Sequence, residues 1–123
     1  MPDKWQALQQ FWESFGLPAY DENAVPDSAE MPYITYEAKT AGIGTVLPLT
    51  ASLWYISDLW DEISRKSEEI AKYIGYGHRI IKLDNGYLYI TRGSPFAQRM
   101  REPGNDKVRR IVINISCEFL TAY

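Results

Sequence analysis

Alternation of hydrophobic and polar residues is clearest in the last third of the chain, where two short runs lie on either side of Asn85-Gly86. This dipeptide is a strong signal for a two-residue β-hairpin turn of type I′. The runs cover residues 78–84 and 87–92. With this turn, the facing pairs are Leu83 with Leu88 and Ile81 with Ile90. All four side chains then share one face, so the pattern predicts an antiparallel pair with one buried side.

A longer alternating run follows after a polar segment, residues 93–107, that we predict to be a loop. The apolar positions of this run are Ile111, Ile113, Ile115, Cys117 and Phe119. Strict alternation over this length predicts a long strand with one buried face. Cys117 lies on that face, so we expect it to be a small buried hydrophobe rather than a reactive thiol.

Two further strands are predicted in the first half of the chain. Residues 32–37 are rich in β-branched and aromatic side chains, and residues 45–56 alternate with leucines on one side. Between the first helix and these strands, residues 17–31 carry two prolines with many acidic and small residues, which is typical of an irregular connector. The direction of Trp54 stays open: it packs under a helix or lies exposed at an interface.

Helical spacing predicts one helix on each side of these strands. Asp3 and Gln6 form a capping-box pattern, and Gly16 is a suitable end for the first helix. We expect the second helix to begin at Ser57 or Asp58. The expected buried stripe of the first helix is Trp5, Leu8, Phe11, Trp12 and Phe15. That of the second helix is Trp60, Ile63, Ser67, Ile70, Ala71 and Ile74.

The order of elements is helix, two strands, helix, three strands. It predicts an α+β fold in which an antiparallel or mixed sheet of about five strands carries two helices on one face. With 123 residues, the chain has the length of one ordinary domain, and we expect residues 1–123 to form a single one.

Charge is distributed unevenly along the chain, although the net charge is only −3. Met1 to Ile70 contains 12 acidic and 4 basic residues, a balance of −8, and Ala71 to Tyr123 contains 4 acidic and 9 basic residues, a balance of +5. This asymmetry favours head-to-tail self-association, in which the acidic half of one copy meets the basic half of the next. The alternative is that both charged regions are solvated faces of a monomer.

The residue types needed for catalysis do not form a recognisable pattern. The single histidine, His78, has no cysteine near it in sequence, the acids are scattered, and the glycines do not follow phosphate-loop spacing. We therefore predict a protein that is not an enzyme and uses no cofactor or metal. No apolar run is long enough to span a membrane, and Met1 does not lead into a signal-type core, so we expect a soluble protein.

A basic segment with apolar side chains is the remaining distinctive feature. The candidate residues for binding a partner or a second copy are Arg92, Phe96, Arg99, Met100, Arg101, Arg109 and Arg110. Aromatic, methionine and arginine side chains are enriched at protein contacts. We expect residues 93–107 to be an arm that becomes ordered on assembly. Binding of nucleic acid ranks lower, because Glu102 and Asp106 interrupt the cluster and the chain as a whole is acidic.

Several stretches also resemble a family of short proteins encoded in the head and tail morphogenesis regions of siphophages and prophages of Gram-positive bacteria. The matching stretches are residues 18–23 with Val25-Pro26, then 32–36, 49–54, 84–90, 92–100 and 118–122. Together they cover most of the chain. The chain departs from the family pattern at two places. A glycine-rich turn follows after Tyr36, and Arg-Glu-Pro-Gly follows Met100.

The order of elements resembles that of tail terminator and tail-to-head joining proteins. This resemblance implies a virion structural protein, made in the host cytoplasm, that forms a ring on the last turn of the tail tube and presents a surface to the head connector. The implied partners are further copies of the chain, with a hexamer as one candidate ring, the major tail tube protein and a head completion or connector protein. No membrane and no specific nucleic acid is implied. A minor capsid or head completion protein is one alternative, and a small nucleic-acid-binding regulator is another.

Overall fold

The computed structural model describes every residue from Met1 to Tyr123, and it has an α+β fold with two helices and a six-stranded mixed sheet. The helices are α1 (Lys4–Glu13) and α2 (Asp61–Ile74). The strands are β1 (Ala19–Asp21), β2 (Tyr33–Tyr36), β3 (Val46–Ile56), β4 (Arg79–Leu83), β5 (Gly86–Met100) and β6 (Val108–Thr121). Neither helix is long and apolar enough to cross a membrane.

The strands lie in the order β1-β2-β3-β6-β5-β4, and every neighbouring pair is antiparallel except β1 and β2. The sheet has one strand more than expected, because β1 forms where an irregular connector was predicted. This short strand is held by hydrogen bonds to β2, with Ile34 N donating to Pro18 O at 2.8 Å and Glu22 N donating to Tyr36 O at 2.9 Å. Three residues carry too little alternation to reveal such a strand.

The hydrophobic core lies between the helices and one face of the sheet, in a single cluster of 23 buried residues. The predicted inner face of β6 is confirmed, since all five of its side chains are at most 3% exposed. Most of the predicted helix stripes are buried as well. Trp5 is an exception with 51% exposure, so its assignment to the core was wrong.

The start of α1 is as predicted, and the start of α2 is not. Asp3 accepts a hydrogen bond from Gln6 N at 2.8 Å, and Asp3 N donates to Gln6 Oε1 at 3.0 Å, which completes the capping box. Helix α2 begins at Asp61 instead of Ser57 or Asp58. Ser57 Oγ accepts from Leu59 N at 3.0 Å, so this hydroxyl stabilises a local turn ahead of the helix.

The β4–β5 hairpin has the predicted buried face but a different register. Leu83 faces Gly86 and Ile81 faces Leu88, so the two loop residues are Asp84 and Asn85. Asn85 does not have a positive φ, which excludes the type I′ turn that we predicted. Gly86 instead lies against β6, where an added Cβ would be 2.0 Å from the carbonyl oxygen of Leu120. The glycine is thus required by a close approach between strands.

The predicted arm, residues 93–107, is mostly strand. β5 continues to Met100 and pairs with β6 on both sides of an irregularity between Arg92 and Ala97. Asn114 Nδ2 donates to the carbonyl of Pro95 at 3.0 Å, which attaches the irregular segment to β6. Only residues 101–107 lie outside the strands. The prediction of an arm that becomes ordered on assembly was therefore wrong for residues 93–100.

Replacing Gly86 by alanine should lower the free energy of unfolding by roughly 2–4 kcal/mol. Overpacking costs roughly 1–3 kcal/mol, and a backbone conformation reserved for glycine adds about 1 kcal/mol or more. Gly86 has a φ of 153° and leaves no space for a Cβ, whereas a Cβ on Gly42 would meet nothing within 4 Å. Urea unfolding of Gly86→Ala and of the control Gly42→Ala measures the difference. Equal midpoints would show that β6 does not constrain residue 86.

The Cys117 thiol should not react in the folded protein at pH 8. Burial raises the pKa of Cys117 to about 12, so only about one thiol in ten thousand is ionised at that pH. A coloured disulfide reagent should report no free thiol on the folded chain and one thiol per chain in concentrated guanidinium chloride. Rapid labelling without denaturant would contradict the burial of this strand face.

Candidate partner-binding site

Four of the seven predicted binding residues line one cleft of about 660 Å³ at the end of the β5–β6 hairpin. We call it the basic cleft. Its lining consists of Trp60, Arg99, Met100, Arg101, Glu102, Gly104, Asn105, Asp106, Val108 and Arg109. The end of β5, the loop of residues 101–107 and the start of β6 form most of its wall, and the residue before α2 completes it.

Trp60 is the aromatic centre of the basic cleft. The guanidinium carbon of Arg99 lies 5.0 Å from the Trp60 ring centroid, and that of Arg109 lies 5.4 Å from it. Both distances are in the range of cation–π attraction. Arg99 Nη2 also donates to Ser64 Oγ at 3.2 Å. Sequence reasoning placed Trp60 in the buried stripe of α2, so its role here was missed.

The arginines of the basic cleft lack carboxylate partners. The chain contains four salt bridges, and none of them includes Arg99, Arg101 or Arg109. Arg109 Nη2 donates to the backbone carbonyl of Asp58 at 3.0 Å, while its Nε is buried without a hydrogen-bond partner. The positive charge of these side chains is therefore balanced by neutral dipoles and an aromatic ring only.

Two carboxylates near these arginines already form ion pairs with other residues. Glu102 Oε1 accepts from Arg110 Nη1 at 3.2 Å, and Asp58 Oδ1 forms an ion pair with Lys107 Nζ at 3.4 Å. Asp106 remains the one lining carboxylate without an ion pair. The basic cleft thus has more positive than negative charge available to a ligand.

The structure does not bring all seven predicted residues together. Arg92 and Phe96 line a separate shallow hollow, where the Arg92 guanidinium carbon lies 5.6 Å from the Tyr76 ring centroid. Phe96 is half-buried against the core, so it is not a free anchor. Arg110 belongs to the uncovered face of the sheet, with its guanidinium carbon 4.7 Å from the Trp54 ring centroid.

Trp54 lies half-buried on the sheet face opposite the helices, so it does not pack under a helix. Its indole Nε1 donates to Thr35 Oγ1 at 2.9 Å, and Arg110 covers its ring. The arginine also donates to Ser52 Oγ at 3.1 Å. The Trp54–Arg110 pair is thus held by contacts within its own sheet.

A segment of opposite charge lies at the other edge of the sheet. We call residues 22–32, which join β1 to β2, the acidic connector. Because β1 and β2 are parallel neighbours, this connection must carry the chain from the end of the edge strand β1 back to the start of β2. Its acids Glu22, Asp27 and Glu30 are exposed and form no ion pair. Residues 13–38 contain six acids and no lysine or arginine.

The acidic and basic halves of the sequence supply the two halves of the sheet, β1-β2-β3 and β6-β5-β4, whereas α2 packs against strands of both. The start of α2 belongs to the acidic half of the sequence, yet Trp60 and Ser64 contact arginines from the basic half. The charge separation in the structure is between two edges of one sheet.

The single histidine and the single cysteine have different surroundings. His78 is exposed and stacks on Tyr89, with ring centroids 4.4 Å apart, whereas Cys117 is buried in the core. No three His, Cys, Asp or Glu side chains lie close enough together to hold a metal ion.

No protein-family model matches the sequence, and no curated protein matches it.

The contact between Arg99 and Trp60 should be measurable as a coupling energy of about 0.5–1 kcal/mol, the usual strength of an exposed cation–π pair. A double-mutant cycle with Arg99→Met and Trp60→Leu, followed by urea unfolding, measures it. The matched control pairs Arg99→Met with Trp54→Leu, because Trp54 lies on the other sheet face against Arg110. That control should show no coupling. Equal coupling in both cycles would mean that the effect is not specific to the basic cleft.

Proposed function

We propose that this chain is a non-enzymatic structural protein of a long-tailed phage or prophage particle, where it acts as a tail terminator. In this role, copies of the chain form a ring at the end of the tail tube and join the tube to the head connector. Two observations support the proposal. One is the resemblance of residues 18–23, 32–36, 49–54, 84–90, 92–100 and 118–122 to phage morphogenesis proteins, and the other is the distribution of charge over the sheet.

The observation that carries the proposal is that the two lateral edges of one sheet have opposite unpaired charge. The acidic connector follows β1, and the basic cleft lies at the end of β5, where β5 is the outermost strand because β4 pairs only with its first residues. Different surfaces on opposite sides of a subunit favour heterologous, head-to-tail contacts. Such contacts close into a ring when the rotation between subunits allows it.

The uncovered sheet face supplies a second surface for contacts along the tail axis. It carries exposed apolar side chains from four strands: Val46, Ile56, Ile80, Tyr87 and Leu120 belong to this face. Exposed apolar side chains grouped on one face are typical of protein contacts. In the proposed ring, lateral edges join the subunits, and this face contributes to contact with the tube protein or the head connector.

Termination follows from an unequal pair of ring surfaces. One surface matches the end of the tube, and the opposite surface offers no match to another ring of tube protein, so growth stops by a missing contact. This mechanism needs no mobile arm. It agrees with the ordered pairing of residues 97–100 with β6.

Deleting the gene from a phage or prophage that carries it should give tails of excess or variable length without attached heads, because nothing would stop growth of the tube. Electron microscopy of the particles measures tail length and head attachment. Supplying the wild-type gene in trans should restore uniform tails and is the control for effects on neighbouring genes.

Other particle morphologies would contradict a terminator role. Normal tails beside filled, tailless heads would indicate a minor capsid or head completion protein instead. Normal infectious particles, combined with retention of the purified chain on DNA that falls steeply with salt, would indicate a nucleic-acid-binding regulator.

A further inference from the structure

The basic cleft contains more positive charge than its own chain neutralises. Among its lining residues are three arginines and two acids, and one of those acids, Glu102, is held by Arg110. Arg99 forms a side-chain hydrogen bond only with a serine hydroxyl, and Arg101 is exposed without any hydrogen bond. An arrangement of this kind leaves guanidinium donors free for an anionic group, which they bind in charge-assisted hydrogen bonds.

A carboxylate-bearing protein segment fits the basic cleft better than a nucleic acid does. Phosphate backbones are bound along continuous positive tracks, whereas Glu102 and Asp106 interrupt this one. Bases commonly stack on aromatic rings, but two guanidinium groups already lie against the Trp60 ring. Single carboxylates need only a local excess of donors, and the cleft of about 660 Å³ has room for a few side chains.

The chain itself contains a segment with the complementary chemistry. The acidic connector presents Glu22, Asp27 and Glu30 to solvent, and none of them forms a salt bridge. In the folded chain it forms no salt bridge with the basic cleft. Strands β1 and β5 are separated by four strand spacings, about 19 Å at 4.8 Å each. A contact between the two must therefore join different copies.

We propose that the basic cleft is a socket for the acidic connector of an adjacent copy, with Asp27 and Glu30 of one subunit bound by Arg99 and Arg101 of the next. Each subunit then uses its connector on one side and its cleft on the other. The inference rests on the proposed ring function, since it names the residues that join neighbouring subunits.

Reversing the charge on either side should prevent association, and reversing both should restore it. The two variants are Arg99→Glu with Arg101→Glu, and Asp27→Lys with Glu30→Lys. Sedimentation velocity, alone and with the tail tube protein, should show an oligomer of the wild-type chain. Each variant alone should associate about a hundredfold more weakly, because like charges would then face each other. An equimolar mixture should assemble again, since the acidic cleft of the first variant matches the basic connector of the second.

Matched controls separate these effects from changes in net charge and in folding. Arg65→Glu with Lys72→Glu makes the same change in net charge at exposed positions of α2 outside the basic cleft, so it should leave assembly intact. Arg99 contacts Trp60 and Ser64, and its loss could weaken the fold. Arg101→Glu alone avoids this contact and should weaken association as well. Circular dichroism and thermal unfolding confirm that each variant is folded.

The outcomes distinguish this inference from the proposed function. An oligomer that forms in the wild type and is unaffected by either reversal would overturn the socket while leaving the ring intact. Absence of any oligomer at high concentration, also with tube protein, would overturn both. Loss of DNA retention in Arg99→Glu with Arg101→Glu, with no change in assembly, would reassign the cleft to nucleic acid and overturn the socket.

Discussion

The pairing of β6 on both of its edges is the constraint on which the rest of the structure depends. This strand forms eleven residue pairs with β3 and eleven with β5, and its inner side chains from Ile111 to Phe119 are almost completely buried. Burying an apolar row of this length removes a large area from water, which is the dominant favourable term in folding. Both helices pack on the face that this row defines, and the close approach of β6 explains why residues 86 and 93 are glycines.

A central β6 also determines which surfaces remain free. Strand β3 and the first half of β5 are paired on both edges, whereas β1, β4 and the second half of β5 each leave one edge free. Exposed edges invite pairing with other chains, and charged side chains are one way in which proteins control such pairing. In this chain the charges differ in sign between the two edges. Identical edges of two copies repel each other because their charges have the same sign. Different edges of two copies attract each other because their charges have opposite sign.

In the basic cleft, neutral groups hold a cluster of arginine side chains in place without a bound anion. The Trp60 ring, the Ser64 hydroxyl and the carbonyl of Asp58 surround Arg99 and Arg109 with weak, neutral partners. Arg110 directly follows Arg109 in β6 and so lies on the opposite sheet face, where Glu102, Ser52 and Trp54 contact it. Arginines of one short segment are thus divided into free and structural groups by the alternation of a β-strand.

Local pattern in the sequence determined the fold class, the buried faces of β4, β5 and β6, the burial of Cys117 and the capping box at Asp3, because each depends on residues a few positions apart. Tertiary structure alone decided the hairpin register, the extension of β5 to Met100, the presence of β1 and the place of Trp60. These depend on contacts between distant segments, such as Gly86 against Leu120 and Ala19 beside Ile34. Contacts between residues far apart in the sequence produce no periodic pattern of residue types. Only the assembled sheet therefore shows which charged side chains meet.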